Sequence, residues 1–137
     1  MASGLLGTAA LSGCSVSDLT TRKVEDPQSA DRARLMQARD LSLQLQLQID
    51  ADAGLSAEFS KIRALHAEQI AQFTRSAGLR PAAHVTAAAQ PLTSKALPDR
   101  ERALAQTFRS MALQAQRGNV AALLASAAAG IEQVIAR

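Results

Sequence analysis

The side chains able to do chemistry are few: one cysteine, Cys14, two histidines, His66 and His84, and a scatter of carboxylates among 137 residues. A carboxylate-bridged di-metal centre in a helical protein needs Glu on two helices and Glu-x-x-His on two more. The three-residue step matters because it turns both ligands onto one helical face. Here Glu58, Glu68, Glu101 and Glu132 are followed three residues on by Lys61, Ala71, Leu104 and Ile135. One chain with two histidines does not furnish that ligand set, so no metal or cofactor site is expected. A G-x-S-x-G elbow, a phosphate-binding glycine loop and a C-x-x-C pair are all missing from the sequence, and no catalytic residue is assigned. His66 falls on an apolar helical stripe. It is read as a core-edge histidine bonded to a backbone carbonyl, to Gln69 or to a glutamine on a facing helix. His84 lies in a connecting segment and is less constrained. Cys14 is the reactive group that remains, since the thiol is the most nucleophilic side chain available for alkylation.

The context of Cys14 is informative. Met1 to Cys14 reads MASGLLGTAALSGC and carries no charged side chain. Its apolar run, Leu5 to Leu11, is far below the ~20 residues that span a bilayer. It reads instead as the end of a secretory signal, an apolar stretch closed by small residues. Leu11-Ser12-Gly13-Cys14 fits the bacterial lipobox. In proteins with that motif the thiol becomes a diacylglyceryl thioether and the bond before the cysteine is cut. Each buried acyl CH₂ contributes about 0.8 kcal/mol, so two or three chains anchor stably where one does not. Residues 1–13 are therefore expected to be a signal-peptide remnant. Cys14 would be the lipidated N-terminus of a tether reaching residue 26. The protein would then sit on the outer face of a bacterial cell membrane, with residues 27–137 as its folded domain.

The elements that must carry this are helical. Trp and Tyr are absent and Phe occurs three times, while 30 alanines lift the hydrophobic fraction to 47%. Sheets fill their pleats with β-branched and aromatic residues, whereas Ala, Leu, Gln and Arg favour helix. The net charge of +3 divides unevenly. Residues 1–59 hold five basic and eight acidic side chains, and residues 60–137 hold ten and four. No run of cations and no set of stacking aromatics accompanies the excess, so nucleic acid is not an expected partner.

Asp26-Pro27 opens a first helix, as N-cap and first-turn proline, that is expected to reach Asp52. Within it, Leu41 to Asp50 alternates apolar and polar like a strand. Leu and Gln are helix formers, however, and a lone strand would leave its backbone groups unpaired. As a helix it has one stripe of Leu35, Ala38, Leu41, Leu45 and Ile49. A second stripe, Met36, Leu43 and Leu47, lies nearly opposite and offers a contact for a partner protein or a second copy of the chain. Gly54 punctuates, and Ser56 is expected to cap a second helix to Ala77. Its stripe is Leu55, Phe59, Ile62, His66, Ile70, Phe73 and Ala77, and Gly78 and Pro81 stop it. Residues 79–96 form a long crossover. A third helix starts near Pro98, with Asp99 and Glu101 complementing its dipole and Leu104, Phe108, Met111 and Ala115 as its stripe. Gly118-Asn119 separates it from a fourth, lined by Val120, Leu124, Ala127, Ile131, Val134 and Ile135. The fold class expected is all-α, a four-helix up-down bundle. So many small core residues place its stability toward the low end of the ~5–15 kcal/mol range.

Two segments, IRALHAEQIAQF (Ile62–Phe73) and GNVAALLASAAAGIEQV (Gly118–Val134), resemble the ferritin-like domain of actinobacterial lipoproteins of unknown function. The resemblance implies a lipid-anchored bundle with ferritin-like connectivity. Relatives show H-x-x-H where this chain has His66 and Gln69, and a histidine where it has Val134. The resemblance thus implies a member lacking whatever those histidines do. The function expected is a non-catalytic binding or structural role in the cell envelope. The alternative is a divergent ferritin-like metal-binding or redox protein whose ligands are shared between chains.

Overall fold

The computed structural model describes residues 26–81 and 92–136. Cys14, the tether and His84 lie outside them. Among the described residues the regular structure is entirely helical, in the order α1 (Pro27–Asp50), α2 (Ala53–Glu58), α3 (Ser60–Ser76), α4 (Leu97–Gln114) and α5 (Gly118–Ile135). Five helices thus stand where the sequence reading expects four.

The difference arises around Asp52. Asp26 Oδ1 accepts from the Gln28 N–H at 3.2 Å and starts α1 as expected. The alternating segment Leu41–Asp50 is helical throughout. The helix closes at Asp50 because Asp52 is claimed by the next element. Its Oδ1 accepts the N–H groups of Gly54 and Leu55 at 2.8 and 3.1 Å. Two backbone donors on one carboxylate make a stronger cap than the Ser56 hydroxyl, so Ser56 and Gly54 end up inside α2. Phe59 (φ −107°, ψ 34°) then leaves the helical region and divides α2 from α3. The far end of α3 behaves as expected. Gly78, at φ +62°, donates to Arg75 O, and Leu79 donates to Thr74 O, the paired 5→2 and 6→1 bonds of a Schellman stop.

Packing is pairwise. α1 lies against α3 and α4 against α5, with α3 on α5 and α1 on α4 joining the pairs around one core. Each long helix contributes a buried seam with alternating steps of four and three residues, the spacing that keeps one face toward its neighbours. In α1 the seam is Asp31, Leu35, Ala38, Ser42, Leu45 and Ile49, so Ser42 takes the place expected for Leu41, which is half-buried. In α3 it is Ile62, His66, Gln69 and Phe73, with Gln69 rather than Ile70 inside. Leu97, Glu101, Leu104, Phe108 and Met111 form the α4 seam, and Val120, Leu124, Ala127 and Ile131 that of α5. Phe73 and Phe108 meet edge to face with centroids 5.5 Å apart. By length and composition α5 is apolar enough to cross a membrane, yet its seam is packed in this core.

The ends of the helices fix their directions. At one end Arg32 Nε donates to Ala77 O at 3.0 Å, joining the start of α1 to the stop of α3. At the same end Asp31, fully buried, accepts from the Gln116 and Arg117 N–H groups at 3.0 and 2.8 Å, clamping the α4–α5 turn onto α1. Burial disfavours the charged form of Asp31. The two backbone N–H groups, the Arg117 guanidinium and the nearby Arg34 outweigh it, and the carboxyl is held below its ordinary value. At the opposite end Asp50 pairs with Arg63 across α1 and α3. α3 therefore stops at the end from which α5 starts, and α3 and α4 run the same way.

Candidate functional site

The seams carry polar side chains at a few positions, and three of these meet. His66, on α3, has no exposed surface. Its Nδ1 is 3.2 Å from Gln69 Oε1, one turn further along the same helix. Gln69 Nε2 donates to Ala127 O on α5 at 3.0 Å. On the other side, His66 Nε2 is 2.8 Å from Glu101 Oε1 on α4. A polar chain thus runs from α5 through α3 to α4 across the interior.

Its proton inventory follows from geometry. The Gln69 amide donates to a carbonyl, so the oxygen it turns to His66 is an acceptor and Nδ1 must carry a proton. Reversing the amide would set its oxygen against Ala127 O. A single proton then lies between His66 Nε2 and Glu101 Oε1. Placed on nitrogen, it gives an imidazolium–carboxylate pair; placed on oxygen, a neutral imidazole and a carboxylic acid. Either arrangement has no net charge, and in both Glu101 Oε2 is only an acceptor. That oxygen is buried and has no hydrogen-bond partner.

Glu101 also walls a cleft of about 340 Å³. The cleft opens where α2 breaks from α3 and is lined by Phe59, Ile62, Leu97, Pro98, Val134 and Ile135, with Glu58, Ser60 and Lys61 alongside. Its volume falls in the ~300–1,000 Å³ range of small-molecule sites.

His66 lies on a core face, as its place on the stripe predicts, and Gln69 is one of the partners expected for it. Its facing-helix partner is a carboxylate, not a glutamine. Glu101 is corrected more fully. Expected in the first turn as a complement to the helix dipole, it is instead fully buried. α4 starts at Leu97, so Asp99 holds the first-turn position, and residue 101 falls on the seam between Leu97 and Leu104. The second stripe of α1 is less open than expected. Met36 is 37% exposed, while Leu43 and Leu47 are half-buried. Among the described residues, no three or more His, Cys, Asp or Glu side chains gather where a metal ion would sit.

Comparison with protein-family models, with curated proteins and with solved structures gave no match.

Proposed function

We propose that the protein is a binding protein without catalytic activity, held on the outer face of a bacterial membrane through lipid on Cys14. Its four long helices are read as an up-down-down-up bundle of ferritin-like connectivity. Parallel α3 and α4, with the 79–96 connection between them, support that reading. So does the resemblance of Ile62–Phe73 and Gly118–Val134 to actinobacterial ferritin-like lipoproteins. The observation that carries the binding role is Glu101, a buried carboxylate with one oxygen unpartnered, in the wall of an apolar cleft. Buried acceptors are ordinarily satisfied, and leaving one open costs about 1–3 kcal/mol. Binding is favoured over general-base chemistry because both His66 nitrogens are committed, to Gln69 and to Glu101. Met36, Leu43 and Leu47 on α1 are the proposed contact for a protein partner or a second copy.

The anchoring part of the proposal has a direct test. Expressed in a bacterium, the protein should begin at Cys14 and carry a diacylglyceryl group, as read by mass spectrometry of the intact chain. A Cys14→Ser variant should remain unprocessed and leave the membrane fraction. An unmodified Cys14 thiol in the mature protein would refute the anchor.

A further inference from the structure

Arginines that are scattered along the sequence come together in the fold at one end of the bundle. There α1 and α5 begin and α3 and α4 stop, and a cleft of about 460 Å³ opens with Arg32, Arg75 and Arg117 in its walls. Arg80 is exposed two residues beyond Gly78. The carboxylates at this end offset these charges only in part. Asp31 is fully buried and is committed to the Gln116 and Arg117 N–H groups, with Arg34 and Arg117 beside it. Glu68 stands 3.7 Å from Arg75 with both side chains well exposed, where an ion pair contributes little. Asp26 is exposed and caps α1. Arg32 turns its Nε to a neutral group, the Ala77 carbonyl. Arg32, Arg34, Arg75, Arg80 and Arg117 thus outnumber Asp26, Asp31 and Glu68. At the opposite end Arg63 and Arg102 are matched by Asp50 and Asp99. Guanidinium groups fit phosphate oxygens in pairs and keep their charge, so a phosphate anion is the chemistry this cluster selects. Its position selects the source. Twelve residues lead from Cys14 to Asp26, a reach of at most about 40 Å, so the arginine end is the one held next to lipid on Cys14.

We propose that this end of the bundle docks on an anionic phospholipid surface, with Arg32, Arg75, Arg80 and Arg117 set against the headgroup phosphates. The choice of a lipid surface rests on the anchor proposed at Cys14. To read the two apart, the full-length chain is coupled chemically through its single thiol to maleimide lipid in vesicles. The vesicles are phosphatidylcholine alone or phosphatidylcholine mixed with phosphatidylglycerol. Phenylglyoxal then labels the arginines, and peptide mass spectrometry gives the rate at each. On the mixed vesicles Arg32, Arg75 and Arg80 should react several-fold more slowly than on phosphatidylcholine, and the protection should fade as salt is raised. Arg100 and Arg102, exposed at the opposite end, should react equally on both. Arg75→Gln/Arg80→Gln, at exposed positions, should weaken docking by about twenty-five-fold and return Arg32 to its rate on phosphatidylcholine. Equal slowing at the two ends would mean attraction by net charge alone and would overturn the docking face. Equal rates on the two kinds of vesicle would also overturn it and leave the anchor standing, since the native state of Cys14 is read separately by mass. Protection by sodium phosphate on phosphatidylcholine vesicles, with none from phosphatidylglycerol, would make the cleft a site for the free ion and overturn the lipid surface.

Discussion

Glu101→Ala and His66→Ala are each expected to destabilise the protein by about 3–5 kcal/mol, a large share of the stability of a domain this size. Either truncation leaves a buried polar partner without its hydrogen bond and opens space in a closely packed seam. Glu101→Gln should behave differently. With Nδ1 of His66 protonated toward Gln69, the bare Nε2 accepts from the new amide, and the loss falls to about 1 kcal/mol. The double variant His66→Leu/Glu101→Leu removes both polar groups and keeps apolar volume. It should be more stable than either alanine variant and far from the sum of the two. Urea unfolding of the four variants measures this. Equal losses in Glu101→Ala and Glu101→Gln would mean that the proton arrangement inferred at His66 is wrong. Additive losses in the double variant would mean that the two side chains do not act as a pair.

Asp31 gives the second large effect, at the other end of the helices. One carboxylate satisfies two backbone N–H groups in the α4–α5 turn. In Asp31→Asn one oxygen becomes an NH₂ that faces an N–H donor, and a loss of about 2–3 kcal/mol is expected near neutral pH. The pH dependence has a definite sign. The folded-state pKa of Asp31 is below its unfolded value. Its contribution is therefore complete above the unfolded value of about 3.9 and is lost as pH falls through the lower folded value. The stability gap between wild type and Asp31→Asn, measured by urea unfolding, should be full at about pH 7 and narrow below about pH 4. A gap that stays constant into acid would show that the charged form of Asp31 is not what holds the turn.

Much of the helical framework is legible in the residues. Asp26-Pro27 starts α1, Gly78 stops α3, and Leu and Gln propensity overrides the strand-like alternation of Leu41–Asp50. The division at Phe59 is not legible. It follows from Asp52 capping early, and a carboxylate two residues before a glycine reads equally as the tail of the preceding helix. The buried polar set escaped for a different reason. Glu101 stands four residues after Leu97 and three before Leu104, and Asp31 stands four before Leu35, so both occupy seam positions of their helices. A charged residue there looks like a break in the stripe until a partner is known. Those partners, His66 for one and the turn at Gln116 for the other, lie 35 and 85 residues away in the chain. Periodicity within one helix says which side faces inward. It does not say which polar group on another helix arrives to meet it.

The cleft shows the same limit. Phe59, Leu97 and Ile135 belong to three separate parts of the sequence and come together only because α3, α4 and α5 converge there. Leu11 to Cys14, by contrast, is a local motif and is read without any fold.

The state of the His66 ring decides whether a proton-sharing pair lies in the wall of the cleft. Nitrogen-15 NMR of histidine-labelled full-length protein near neutral pH reports each ring nitrogen separately. The expected spectrum has a protonated Nδ1 whose hydrogen exchanges slowly with solvent, with Nε2 shifted by its hydrogen bond to Glu101. A bare Nδ1, or ring protons exchanging freely with water, would contradict the pair and remove the basis for the open acceptor at Glu101 Oε2.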